Sequence, residues 1–249
     1  MIDIDRVSLT YNQENATVSV LNNLSLSIAA GESWVIIGPS GCGKSSLLFL
    51  LAGLIKPTSG NLTVHGRPLE GPRQSTALIL QEYGLFPWKT VRQNVGLGLK
   101  IRGLSKEQRA ERVKAILEEM GLSEYQQHYP GQLSGGQRQR VAVARALALS
   151  PDLLLMDEPF SSLDALTRES LQNLLLNVWQ EKGLTMIMVT HSIEEAVFLG
   201  RKIVVFSARP ARLLDVIENP KVGSPHYRST AEFYQCCSRV RETLELGHK

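Results

Sequence analysis

Residues 38–45 read Gly38-Pro39-Ser40-Gly41-Cys42-Gly43-Lys44-Ser45, a glycine-rich run closed by a lysine and a hydroxyl. The spacing G-x-x-x-x-G-K-[ST] is the P-loop pattern. Its glycines let consecutive backbone amides turn inward around phosphate oxygens, with the positive end of the following helix behind them. Lys44 is then placed on the β- and γ-phosphates and Ser45 on Mg²⁺, and Ser46 continues the same turn. A P-loop needs a second acid for its metal. Leu153-Leu-Leu-Met-Asp157-Glu158 supplies one, because four apolar residues bury a strand and Asp157 emerges at its C-terminal edge. Glu158, next along, has the chemistry to orient and deprotonate an attacking water. Phosphoryl transfer by positioning and charge neutralisation needs no cysteine nucleophile, so Cys42 counts only as a member of the loop.

Those residues require particular elements around them. Ser33–Ile37 is a short, nearly all-apolar strand of the kind buried on both faces, and Lys44–Ala52 is an apolar helix closed by Gly53. Before them come strands at Ile2–Thr10, with an imperfect period, and Val20–Ile28, joined by a polar turn at Asn12–Ala16. A strand is expected at Ala77–Gln81, then a loop, then mostly helix from Thr90 to Ala148. In that stretch Ser105-Lys-Glu-Gln108 forms a capping box and the helix it opens stops at Gly121. Alternation returns with strand Leu153–Asp157, helix Ala165–Lys182, strand Thr185–Val189 and a helix from Ser192-Ile-Glu-Glu195, a second capping box. Strands at Ile203–Ser207 and Arg212–Ile217 precede a helix opened by Ser229-Thr-Ala-Glu232.

Composition excludes several classes. The 249 residues carry 27 Lys and Arg against 24 Asp and Glu, a net charge of +3 that does not announce nucleic acid. The longest apolar run, Leu47–Ile55, is far short of the roughly 18–20 residues a membrane-spanning helix needs. The acidic start Met-Ile-Asp-Ile-Asp does not read as a signal peptide, and three cysteines make neither a disulfide framework nor a metal pattern. A reduced, cytosolic setting is the expectation.

A third motif, Leu133-Ser134-Gly135-Gly136-Gln137, opens a helix over Gln137–Ala148 and looks like another anion-binding helix start. By itself it is an ordinary cap. Together with the P-loop and the Asp-Glu strand, it makes the chain resemble the nucleotide-binding subunit of an ATP-binding cassette (ABC) transporter, from Tyr11 to about Asp215. The resemblance implies an α/β fold: a P-loop NTPase (RecA-like) core over 1–89 and 150–220, with an N-terminal antiparallel β subdomain. A helical subdomain is inserted at 90–149, and a C-terminal helix occupies 221–249. It also implies roles. Tyr11 stacks on adenine, Gln81 reaches Mg²⁺ and the attacking water, and Glu158 is the general base. His191 touches the γ-phosphate, and Ser162-Leu163-Asp164 communicates across a dimer. Ser134 and Gly136, with Gly135 and Gln137 beside them, close over the ATP of a second copy, so the chain works as half of a head-to-tail pair. ATP and Mg²⁺ are the expected ligands.

A more local resemblance is to importer subunits for nitrate, taurine and alkanesulfonates. It is carried by Leu80-Gln-Glu-Tyr-Gly-Leu-Phe-Pro-Trp88, Asp157-Glu-Pro-Phe160, Leu163-Asp-Ala-Leu-Thr-Arg168 and Val204–Arg212. Ser161-Ser162 replaces the usual Gly-Ala and Ser192 the usual Asp, a residue that still caps a helix. The resemblance implies permease subunits docking near Gln81–Val95, a separate solute-binding protein and a place on the cytoplasmic face of the membrane, with no nucleic acid as partner. A separate-chain exporter and a soluble ABC ATPase acting on DNA or ribosomes remain open on these residues, and the transported solute is not legible in them.

Overall fold

The computed structural model describes residues 1–13, 16–224 and 226–247. In chain order its elements begin with β1 (Ile2–Gln13), β2 (Ala16–Ile28), β3 (Ser33–Ile37), α1 (Lys44–Leu51), β4 (Ser59–Val64) and β5 (Arg67–Pro68). Then come β6 (Thr76–Ile79), α2 (Val91–Ile101), α3 (Lys106–Glu119), α4 (Gly135–Leu147) and β7 (Leu153–Asp157). The chain closes with α5 (Ala165–Lys182), β8 (Thr185–Thr190), α6 (Ile193–Leu199), β9 (Lys202–Phe206), β10 (Leu213–Glu218) and α7 (Ala231–Leu246). Two compact units divide it: Met1–Arg73 with Gln172–Lys249, and Gln74–Leu171.

The first unit holds an antiparallel sheet in the order β2-β1-β4-β5 and the strands β10-β9-β3-β8. All five residues of β3 are buried, and β3 pairs in parallel with both β8 and β9, so the apolar run seen in sequence is a strand covered on both faces. The broken period of β1 has a physical cause. Arg6 adopts φ 49°, and the register against β2 shifts between Ile4 and Val7. This bulge returns Val7 and Leu9 to the buried face already occupied by Ile2 and Ile4.

The second unit holds the parallel pair β6–β7 and the helices α2, α3 and α4. Thr90, Ser105 and Ser134 each cap a helix through a complete capping box, with Gln93, Gln108 and Gln137 returning the bond. Among the described residues no helix is long and apolar enough to cross a membrane.

Several sequence expectations need correction. Asn12 and Gln13 belong to β1 and Ala16 to β2, so the turn expected over Asn12–Ala16 is too long at both ends; residues 14 and 15 lie outside the described residues. β4 and β5 went unpredicted, because Ser59-Gly-Asn and the Arg67-Pro pair read as turn residues. β6 ends at Ile79, which leaves Gln81 in the following turn. Ser192 caps α6, but its box is only half formed: the Glu195 carboxylate accepts from the Thr190 hydroxyl, and that hydroxyl accepts from the Ser192 amide. The cap of α7 is Thr230, one residue beyond Ser229.

Candidate functional site

In the first unit the chain leaves β3 at Ile37, turns through residues 38–43 and enters α1 at Lys44. Gly43 has φ 125°, and a Cβ there would lie 2.7 Å from Val20 Cγ1, so only glycine fits. The consequence is a helix start with no side-chain cap and no acidic residue in its first turn. Every other described α-helix differs. Thr90, Ser105, Ser134, Ser192 and Thr230 cap α2, α3, α4, α6 and α7, and the Asp164 carboxylate accepts from the Thr167 amide at the start of α5. α1 is therefore the one described α-helix whose first turn is bonded by no capping side chain, an arrangement that suits an anion at its start.

Lys44 is buried and folds back on the loop, its Nζ donating to the carbonyls of Gly38 and Pro39 at 2.9 Å each. Burial raises the Cys42 thiol pKa, and the nearby Lys44 charge opposes that only in part, so the sulfur stays protonated. The Tyr11 hydroxyl donates to Ser46 Oγ at 3.4 Å, and Tyr11 itself is exposed. Ser40 and Gly41 are exposed at the tip of the loop, and Ser45 lies partly buried behind it. His191 is exposed, directly after β8 and before the cap of α6.

In the second unit Asp157 is the last residue of β7 and is buried. Glu158 has φ 45°, a left-handed backbone that costs of order 1–3 kcal/mol for a residue with a side chain. Its carbonyl accepts from the amide of Ser161 at 3.3 Å and from the Ser161 hydroxyl at 3.1 Å. Gln81 Nε2 in turn approaches Ser161 Oγ at 3.5 Å, so Gln81 and Glu158 share one intermediary. Ser134 is exposed; its hydroxyl accepts from the Gln137 amide while the Gln137 side chain accepts from the Ser134 amide. A Cβ on Gly135 would lie 3.4 Å from Leu163, and one on Gly136 only 2.2 Å from Thr167 Cγ2. The start of α4 is thus pressed against the loop that carries Asp164. The two hydrogen bonds from Thr167, backbone first, hold the Asp164 carboxyl below its ordinary pKa.

Two residues that position this loop system escaped the sequence reading. Asn94, fully buried in α2, accepts from the Phe86 amide at 2.8 Å and donates to the carbonyls of Phe86, Lys89 and Thr90 at 3.1, 3.0 and 3.1 Å. Arg145 of α4 donates to the carbonyls of Gly84 and Tyr83 at 2.6 and 2.8 Å, and burial lowers its pKa. Both tie the segment 83–90 to helices, and Thr90-x-x-Gln93 was the one local signal for it. Of its aromatic residues, Phe86 is partly buried and Trp88 is 69% exposed, their rings meeting edge-on at 5.6 Å. Packed and exposed aromatic residues thus stand side by side in this segment.

The donor chemistry fits Mg²⁺. That ion takes oxygen ligands, keeps several waters and shares substrate phosphates, so it needs no dedicated protein cage. The Ser45 hydroxyl, the Gln81 amide oxygen and the Asp157 carboxylate are hard oxygen donors. Among the described residues no group of three or more His, Cys, Asp or Glu gathers to hold a metal alone.

Comparison with known proteins gives concordant results. The family model described as ABC transporter matches residues 21–161. The taurine import ATP-binding protein TauB of Pseudomonas aeruginosa is 49% identical over 210 residues, covering 84% of this chain and 80% of that protein. The aliphatic sulfonates import ATP-binding protein SsuB of Bacillus cereus is 40% identical over 246 residues, covering 99% of this chain and 96% of that protein. The solved dimeric structure of a post-hydrolysis state of the ATP-binding cassette MJ0796, bound to ADP and Pi, has a TM-score of 0.79 and 32% identity, and the match covers 88% of this chain and 98% of that one.

Proposed function

The chain belongs to the ABC transporter family, and from that premise we propose that it is the ATP-hydrolysing subunit of an importer for a small organic sulfonate such as taurine. The observation that carries the nucleotide site is the uncapped start of α1 behind the glycine loop, with Lys44 folded onto the loop carbonyls. On binding, phosphate oxygens take the first amides of α1 and Lys44 exchanges the two carbonyls for the β- and γ-phosphates. Residues 38–46 supply this cradle, and Tyr11, tethered to Ser46, stacks on the base. Ser45, Gln81 and Asp157 are the residues to hold Mg²⁺, which when bound neutralises charge developing on the phosphates. Glu158 takes the proton of the attacking water and His191 contacts the γ-phosphate.

Solved relatives of this fold are dimeric cassettes, one of them with ADP and Pi bound. That supports an ATP sandwich in which Ser134–Gln137 and Asp164 of one copy face the nucleotide of the other. Relatives named for taurine and sulfonate import favour import over export. The permease reading is supported by a groove of about 530 Å³ between α2 and α3, lined by Lys89, Arg92, Lys100, Lys106 and Arg109. Among the described residues only Arg109 of these five feels a neighbouring carboxylate, that of Glu107, and Leu97 and Val113 give the groove an apolar floor. Such a lining suits an acidic amphipathic segment of a membrane subunit, which in turn holds the chain at the cytoplasmic face.

The test is Glu158→Gln. It should bind Mg-ATP with near wild-type affinity, lose at least about a hundredfold in turnover, and elute as a dimer in saturating Mg-ATP. Turnover at the wild-type rate would remove the general-base role. A variant that stays monomeric would count against the sandwich.

A further inference from the structure

Three segments that carry the proposed chemistry meet at one pair of hydroxyls. Tyr83 Oη and Ser162 Oγ are 2.5 Å apart, joining the turn that holds Gln81 to the loop that runs from Glu158 to Asp164. A Cβ on Gly135 would lie 3.9 Å from Tyr83 Oη and 3.9 Å from the Ser162 carbonyl, so the start of α4 abuts the same point. Tyr83 is held there by more than its hydroxyl. Its backbone is left-handed at φ 64°, its carbonyl accepts from Arg145, and its ring faces the Arg138 guanidinium at 6.0 Å. The adjacent serine makes a second stitch, since Ser161 Oγ donates to the Glu158 carbonyl and lies 3.5 Å from Gln81 Nε2. A strained tyrosine backbone persists only where its surroundings over-determine it, and here they comprise an arginine fork, a cation above the ring and a hydroxyl partner.

We propose that the Tyr83–Ser162 hydroxyl pair, backed by Arg145, is a clasp that fixes Gln81 relative to Glu158, making Tyr83 and Ser162 positioning residues for hydrolysis. The inference rests on the reading of Glu158 and Gln81 as the residues that handle the attacking water. Neither hydroxyl touches the reacting atoms. The clasp holds two loops in a single register, so the water-orienting amide and the base keep a fixed separation through turnover. It also ties the segment that ends at the exposed Trp88 to the loop of the base.

The experiment is a double-mutant cycle on steady-state ATP hydrolysis by the full chain, using Tyr83→Phe, Ser162→Ala, both together, and Ser162→Thr. Each single change should lower kcat by roughly three- to tenfold, the rate equivalent of the net worth of one hydrogen bond. KM for ATP should hold, and the thermal midpoint should fall by no more than about 2–4 °C, too little to account for the loss of rate at the assay temperature. The double variant should be no slower than the slower single, because the pair is lost once, and Ser162→Thr should restore most of the rate. Multiplicative losses, an unchanged kcat in both singles, or a rate that falls only in step with the thermal midpoint would each overturn the clasp. A wild-type chain that hydrolyses ATP while Glu158→Gln does not keeps the proposed function standing in any of those cases. A Glu158→Gln chain with undiminished turnover instead removes the premise that both readings share.

Discussion

Lys44 and Cys42 sit two residues apart in one loop, and their surroundings give them opposite duties. The lysine is buried but has two carbonyls for its ammonium, partners that a phosphate can replace. The cysteine is buried with its thiol pKa raised, chiefly by desolvation, and is therefore a small apolar filler. The same physics acts on the other two thiols. Burial raises Cys236 and takes Cys237 to about 11, with the neighbouring Cys236 adding to the latter shift. The expected outcome is that all three cysteines react slowly with a disulfide reagent in the native protein at about pH 7.5, and quickly once it is unfolded. Cys42→Ala should hydrolyse ATP within roughly twofold of wild type, since no bond to that sulfur forms or breaks. A fast-reacting native thiol together with an inactive Cys42→Ala chain would give the sulfur a chemical role that the fold does not suggest.

In the second unit, the elements that carry Ser134 and Asp164 are held by close approach. Gly136 lies in the first turn of α4, where a Cβ would come within 2.2 Å of Thr167 Cγ2 in the first turn of α5. Thr167 cannot simply rotate away, because its side chain and its amide both bond the Asp164 carboxylate. Gly136→Ala should therefore destabilise by about 1–3 kcal/mol despite the better helix propensity of alanine. Thr167→Ser deletes the clashing methyl and keeps the hydroxyl, so the double variant should recover most of the loss in denaturant unfolding. Additive losses would mean that the glycine serves something other than this contact. This contact also marks where sequence reading stops. The glycine loop between β3 and α1, the end of β7 at Asp157 and the cap of α4 at Ser134 were legible because each is a local pattern of turn, strand or cap residues. Asn94 and Arg145 were not. A buried Asn in α2 and an Arg in α4 look like breaks in an apolar stripe until the carbonyls of residues 83–90 are seen to need them. The bulge at Arg6 and the early end of β6 at Ile79 were hidden for a related reason, since strand ends and slips are set by the partner strand. The missing half of the Ser192 box likewise follows from Thr190, a competitor outside the four-residue pattern.

At the scale of the whole molecule, the chain carries one phosphate loop and one Ser134-Gly-Gly start, and in the proposed sandwich the second acts on the nucleotide of the partner copy. Ser134 has an evident local task, accepting the Gln137 amide, and loss of such a cap costs about 1 kcal/mol. An alanine at this position therefore confounds two roles. Aspartate separates them, because it caps a helix as well as serine does but brings a negative charge to the surface that would meet the γ-phosphate of the partner's ATP. If Ser134 only caps, Ser134→Asp should resemble wild type and Ser134→Ala should be the weaker protein. If Ser134 reaches a nucleotide across the dimer, the order reverses. Ser134→Asp should keep wild-type unfolding stability and bind ATP normally as a monomer, yet fail to dimerise in the Glu158→Gln background and lose turnover more completely than Ser134→Ala. Loss of ATP binding by the monomer of either variant would instead assign the helix start to the nucleotide of its own chain. Titration calorimetry of the monomer, light scattering at saturating Mg-ATP and denaturant unfolding read nucleotide affinity, pairing and stability separately, so defects in the three cannot be mistaken for one another.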